Sequence, residues 1–198
     1  MKPMTGWANA PAMTNDGKET IPAGGHGCVI RSAKIVEVTY SGVPEEKMQI
    51  EFDIKEGTSL DGFYARQFEK RMGFNAGNAK WGGVIMQSTH TKDGAINPYF
   101  KGLINSVEKS NPGYSFEGTN FNEATLAGKR IGFVFRDEPF TAQSTGKIVH
   151  YMRPAWSCGY DEAKDQPAPA PKPVRGQSNN ASMVTATMQE AEDDELPF

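Results

Sequence analysis

With 198 residues, 37% apolar and 23% charged, the chain can build one proper core and is neither a low-complexity polymer nor two large domains. No run approaches about 18 apolar residues, so no membrane span is expected, and Lys2 before a polar stretch makes no secretory leader. The net charge of −3 is uneven: residues 161–198 hold eight acids and three bases, residues 1–160 hold 18 bases and 16 acids, which predicts a mildly basic body for an anionic ligand and an acidic tail for a basic partner.

Residues 1–24 are rich in Pro, Ala, Asn, Thr and Gly and predict a flexible arm whose one aromatic is Trp7. Gly24-Gly25-His26-Gly27 opens a β-prone run from Cys28 to Tyr40. Its alternation slips near Ser32-Ala33, as in a long strand bent through a bulge. Ser41 to Glu46 reads as a turn. Lys47 to Lys55 alternates, with Met48, Ile50, Phe52 and Ile54 inward and Gln49, Glu51 and Asp53 outward, the pattern of a half-buried antiparallel strand. After Gly57–Gly62, the run Phe63 to Arg71 reads as a third strand with Tyr64, Arg66, Phe68 and Lys70 on one face. Residues 72–83 form a Gly- and Asn-rich loop around Trp81, and Val84 to Thr89 adds a short strand.

Asn97-Pro98 predicts a helix start, with Asn as cap and Pro in the first turn. Phe100, Leu103, Ile104 and Val107 form its apolar stripe, and Ser110-Asn111-Pro112-Gly113 stops it. Lys129 to Arg136 is a fourth strand with Ile131, Phe133 and Phe135 on one face, and Lys147 to Arg153 a fifth. Three strands, a helix and two strands is the order of an OB-fold. The expected class is therefore mainly β: a five-stranded OB-fold barrel over residues 25–160, with one α-helix between strands 3 and 4. An antiparallel sheet with one packed helix is the alternative.

Residues 161–189 contain no aromatic, Leu or Ile, and Pro167, Pro169, Pro171 and Pro173 alternate with Ala and Lys. So little apolar surface cannot offset ordering entropy, which predicts a disordered linker. It leads to an acidic tip, residues 190–198, with five acids before Leu196-Pro197-Phe198. The acids keep the segment in water. Ring and carboxylate together on Phe198 make a hook for an apolar pocket rimmed by Arg or Lys.

Unpaired nucleic acid is held by cations that track phosphates and rings that stack on bases. Tyr64, Arg66, Phe68 and Lys70 interleave both, with Arg71 following; the opposing reading packs Tyr64 and Phe68 inside. Tyr151 and Arg153, with Trp156 just beyond, supply a second set. Arg31 and Lys34 on the first strand and Arg136 on the fourth add charge, and Trp81 offers a lid. No phosphate loop, His-Glu-x-x-His or Gly-x-Ser-x-Gly is present, so no enzyme, cofactor or metal is expected. Cys28 and Cys158 are spaced for neither a zinc site nor a disulfide framework, which fits a reducing cytoplasm.

The ending Asp193-Asp194-Glu195-Leu196-Pro197-Phe198 resembles the C-terminal tip of bacterial and phage single-stranded DNA-binding proteins. The body is similar to phage and prophage proteins thought to bind single strands, notably at Ile21–Gly25, Gln49–Gly57 and Phe100–Tyr114. The resemblance implies an OB-fold that coats and protects single-stranded DNA in phage replication and recombination, within the bacterial host cytoplasm. It also implies that Glu192, Asp193, Asp194, Glu195, Leu196, Pro197 and Phe198 dock replication, recombination and repair proteins. An OB-like adaptor or inhibitor without strong DNA binding is the competing reading, and an RNA-binding barrel and a metal-dependent nuclease follow. Self-association stays open.

Overall fold

The computed structural model describes residues 19–40 and 43–174. The long first strand, β1 (Gly24–Tyr40), pairs antiparallel with β2 (Val43–Ile54) from Cys28↔Ile54 to Tyr40↔Val43. The expected bulge is present one residue early: the register shifts between Ile30 and Ser32 and leaves Arg31 unopposed. The alternation of β2 holds on its inner face, where Met48, Ile50, Phe52 and Ile54 are buried. Asp53 is a correction. It is buried too, and its carboxylate accepts from the backbone N–H groups of Ile54, Tyr64 and Ala65.

Those bonds explain a larger correction. Phe63–Asn75 is a helix, α1, and not a third strand. Asp53 supplies acceptors to the orphan donors of its first turn. The segment is also filled with good helix formers, Ala65, Arg66, Gln67, Glu69, Lys70, Arg71 and Met72. Adjacent Phe63 and Tyr64 are both buried, which a strand facing one core does not allow.

The third strand is β3 (Val84–Ser88), on the free side of β2. Helix α2 (Pro98–Ser110) follows as expected, with the Asn97 side chain accepting from the Tyr99 N–H, and Leu103, Ile104 and Val107 buried. β4 (Arg130–Asp137) returns along the first residues of β1. A small hairpin of β5 (Phe140–Thr141) and β6 (Ile148–Val149) precedes β7 (Met152–Cys158), which pairs with β4. The expected fifth strand, Lys147 to Arg153, is thus split between β6 and β7.

The molecule is mainly β, with one five-stranded antiparallel sheet in the order β3-β2-β1-β4-β7. The sheet is not closed into a barrel: β3 and β7 are its two ends and are not hydrogen-bonded to each other. Helix α2 packs against β3, β4 and β7 and covers core that a closed seam would otherwise seal. Phe52 and Phe133 meet at a centroid distance of 4.7 Å at the centre of that core, beside Phe135. Burying each such ring contributes about 1.5–3 kcal/mol.

Two outer segments are more ordered than their composition predicts. Of the expected arm, Ile21 is in the core, Glu19 pairs with Arg66, and the Pro22 carbonyl accepts from His26 Nε2 at 3.1 Å. Of the expected linker, residues 161–174 form a strap along the sheet. Ala163 is buried, and the Lys172 N–H donates to the Asp137 carbonyl at 3.0 Å. The glycines opening β1 make room for the strap: a Cβ on Gly25 would lie 1.8 Å from the Ala163 carbonyl oxygen, and one on Gly27 2.8 Å from the Tyr160 ring. A few apolar atoms placed over glycine backbone suffice to order a segment that has no core of its own.

Candidate nucleic-acid interface

The gap between the sheet's two ends is a cleft of roughly 840 Å³. Val84 to Gln87 of β3 line one wall, Met152 to Ser157 of β7 with Tyr151 the other, and Pro98, Tyr99, Gly102 and Leu103 of α2 close one side. Consecutive residues of both strands line it because an end strand presents both faces and its free backbone edge. The floor is core: Phe52, Tyr64 and Phe133. Burial pushes the Tyr64 phenol far up, so it stays neutral.

Around the rim stand exposed flat or polarisable groups: Tyr99, Met86, Tyr151 and Trp156. Between them are Arg71, Lys80 and Arg153, and among the described residues no Asp or Glu lines the cleft. Among the described residues these three cations have no carboxylate partner. Arg71 donates instead to the Lys80 carbonyl at 3.0 Å, and Arg153 lies 5.1 Å from the Tyr151 ring centroid. Charge in this cleft is therefore available to an anion. A smaller hollow continues it beneath the β5–β6 hairpin, lined by Glu138, Phe140, Tyr151 and Arg153.

Six of the expected residues come together here: Tyr64 in the floor and Arg71, Trp81, Tyr151, Arg153 and Trp156 above it. Two more support them. The Arg31 guanidinium, set free by the bulge, stacks 3.7 Å from the Trp81 ring centroid, and the Phe68 ring is 5.7 Å from that of Trp81. Trp81 is no lid. Its indole N–H donates to the Phe52 carbonyl at 3.0 Å, and its loop is drawn in where Gly83 has room for no side chain, a Cβ there lying 2.3 Å from the same oxygen.

The remaining four fall elsewhere. Arg66 is occupied by Glu19 and by the carbonyls of Asp61 and Ser59. Lys70 is exposed on α1 and Lys34 on the far part of β1. Arg136 bonds to Glu138 at 3.2 Å. The alternating face of Tyr64, Arg66, Phe68 and Lys70 does not exist, because the segment is helical. The expected docking residues Glu192 to Phe198 lie outside the described residues. Sequence reasoning missed Lys80, Met86 and Tyr99. Tyr99 was legible: it follows the helix cap and stands off the apolar stripe of α2, so an exposed ring was implied.

Cys28 is buried and Cys158 half-buried; both are free, and burial pushes both thiols up. Among the described residues no three His, Cys, Asp or Glu side chains are grouped to hold a metal ion, and no helix is long and apolar enough to cross a membrane. No protein-family model matches the chain, and no curated protein matches it in sequence.

Proposed function

We propose that this chain binds single-stranded DNA in the β3–β7 seam and coats it during phage replication or recombination. One observation carries the reading: the open edge of the sheet is lined by cations and exposed rings, with no carboxylate among them. Bases stack on Tyr99, Tyr151 and Trp156 while phosphates meet Arg71, Lys80 and Arg153. Stacking of this kind tolerates sequence, since every base has a π-face.

The fold supports the same reading. An OB barrel closes five strands into a ring by pairing the third with the fifth. The order β3-β2-β1-β4-β7 is that ring with one seam unpaired, and α2 occupies the helix position between third and fourth strands. We read the chain as an OB-fold opened at its ligand site.

Fluorescence anisotropy with labelled oligo(dT), duplex and RNA over a salt series tests this. Oligo(dT) affinity should fall with log salt at a slope of about −0.7 per phosphate neutralised. Equal affinity for duplex and single strand sinks the proposal, and tighter binding of RNA moves it to the RNA class. The tip recruits partners: Phe198→Ala should abolish capture of proteins from infected-cell lysate with DNA affinity nearly unchanged. Deleting 190–198 should raise DNA affinity at low salt, as the chain loses five acids that compete with DNA for a basic groove. An unchanged set of captured proteins with Phe198→Ala reduces the tail to a solubility device.

A further inference from the structure

We propose that Lys172 is a positioning residue of the strand path. With Arg136 it neutralises Glu138, and through that contact the strap bears on the grip on nucleic acid. The inference rests on the single-strand reading above.

Glu138 is the one carboxylate among the residues lining the cleft and the hollow that continues it. It stands in the hollow with Arg153, where a bare negative charge would repel the phosphates that Arg153 is placed to attract. It is not bare. Glu138 Oε1 receives Lys172 Nζ at 2.5 Å and an Arg136 guanidinium nitrogen at 3.2 Å, and its side chain is only 10% exposed. Desolvation pushes this carboxyl up, but the bonds from Lys172 and Arg136 outweigh it and hold the group below the ordinary carboxylate range.

The cations around Glu138 exceed what it needs. Arg136 and Arg153 face each other directly across the β4–β7 ladder. Like charges so placed are destabilising unless an anion is shared between them. Arg136 Nε is also buried without a partner among the described residues. With Lys172 bound, Glu138 is doubly occupied and the hollow keeps a net positive charge for a phosphate.

Lys172 is placed by backbone rather than by its own charge. Its N–H bonds to the Asp137 carbonyl, and the strap behind it is packed at Ala163 over Gly25. Lys172 lies near the C-terminal end of the described strap. Where the strap lifts from this end, the Lys172–Glu138 contact parts. Glu138 then keeps only Arg136, at 3.2 Å, and more of its charge reaches the strand, which weakens the hold on DNA.

A double-mutant cycle on the full chain tests this. Affinity for labelled oligo(dT) is measured for the unmodified chain, Lys172→Ala, Glu138→Gln and the double variant, at ~50 and ~200 mM salt, with a melting curve for each. Lys172→Ala should weaken binding about threefold to tenfold at the lower salt and less at the higher. In the Glu138→Gln background the same change should have little effect, because no charge remains to neutralise. An equal loss in both backgrounds makes Lys172 an ordinary phosphate contact and overturns the coupling. A lower melting temperature with unchanged affinity assigns Lys172 to the fold alone and overturns it as well. Absence of oligo(dT) binding by the unmodified chain overturns the single-strand reading itself, and this inference with it.

Discussion

The middle of the sheet and its two ends are built on opposite terms. Around Gly24–Ile30 of β1 and along β4 the sheet is largely covered: Phe133 and Phe135 are buried, glycines let the strap lie directly on the backbone, and His26 bonds to the Pro22 carbonyl. At β3 and β7 the backbone edge is left unpaired and the side chains above it are exposed rings and cations that, among the described residues, have no carboxylate partner. Close packing stabilises a fold, whereas an uncovered edge with aromatic and positive groups has lost that stabilisation and gained a place for a ligand. The division predicts that substitutions in the middle act on stability and those at the ends on binding.

The largest effect is expected at the centre. Phe133→Ala should cost about 3–5 kcal/mol in urea unfolding, by removing the ring against Phe52 and leaving a cavity. Gly25→Ala should follow at about 3 kcal/mol, since its methyl group meets a backbone carbonyl at 1.8 Å that cannot swing aside. A Gly25→Ala protein that melts normally would show that the strap does not rest on β1.

At the seam the sign of the comparison reverses. Trp156→Ala should leave the melting temperature nearly unchanged and weaken oligo(dT) binding by about 1–3 kcal/mol. Arg153→Ala should flatten the salt slope by about 0.7. If Trp156→Ala instead unfolds the protein with binding intact in the folded fraction, the seam is core and the division fails. On α1, Gly73→Ala has open space around it and should raise stability by about 1 kcal/mol, the helix-propensity difference.

The smallest expected effect is a pH dependence. The Glu138 carboxyl titrates lower in the folded state than the ordinary glutamate value of 4.5, so it contributes stability above that pH and loses it as the pH falls through its folded value. Glu138→Gln should therefore lower stability in the neutral region and flatten the acid limb of the stability curve, the two proteins converging at low pH. An acid limb that keeps its shape would place the source of acid sensitivity in other carboxylates.

The sequence by itself determined the strands whose side chains alternate between core and water, the bend in β1, and α2 with its Asn97 cap. These follow from local periods and from caps that act within a few residues. Of the rings and cations it singled out, Trp81, Tyr151, Arg153 and Trp156 line one cleft. Tertiary structure decided the rest. Phe63–Asn75 became a helix because Asp53, distant in the chain, supplies acceptors for its first turn, while Tyr64, Arg66, Phe68 and Lys70 alternate in a way that fits a strand equally well. Residues 161–174 became ordered because glycines on β1 admit them, a contact invisible in their own composition. The cleft lies between β3 and β7, which are far apart in sequence and meet only as the two unpaired ends of one sheet. Which edge stays open depends on how all five strands pair, and no local pattern of residues encodes that.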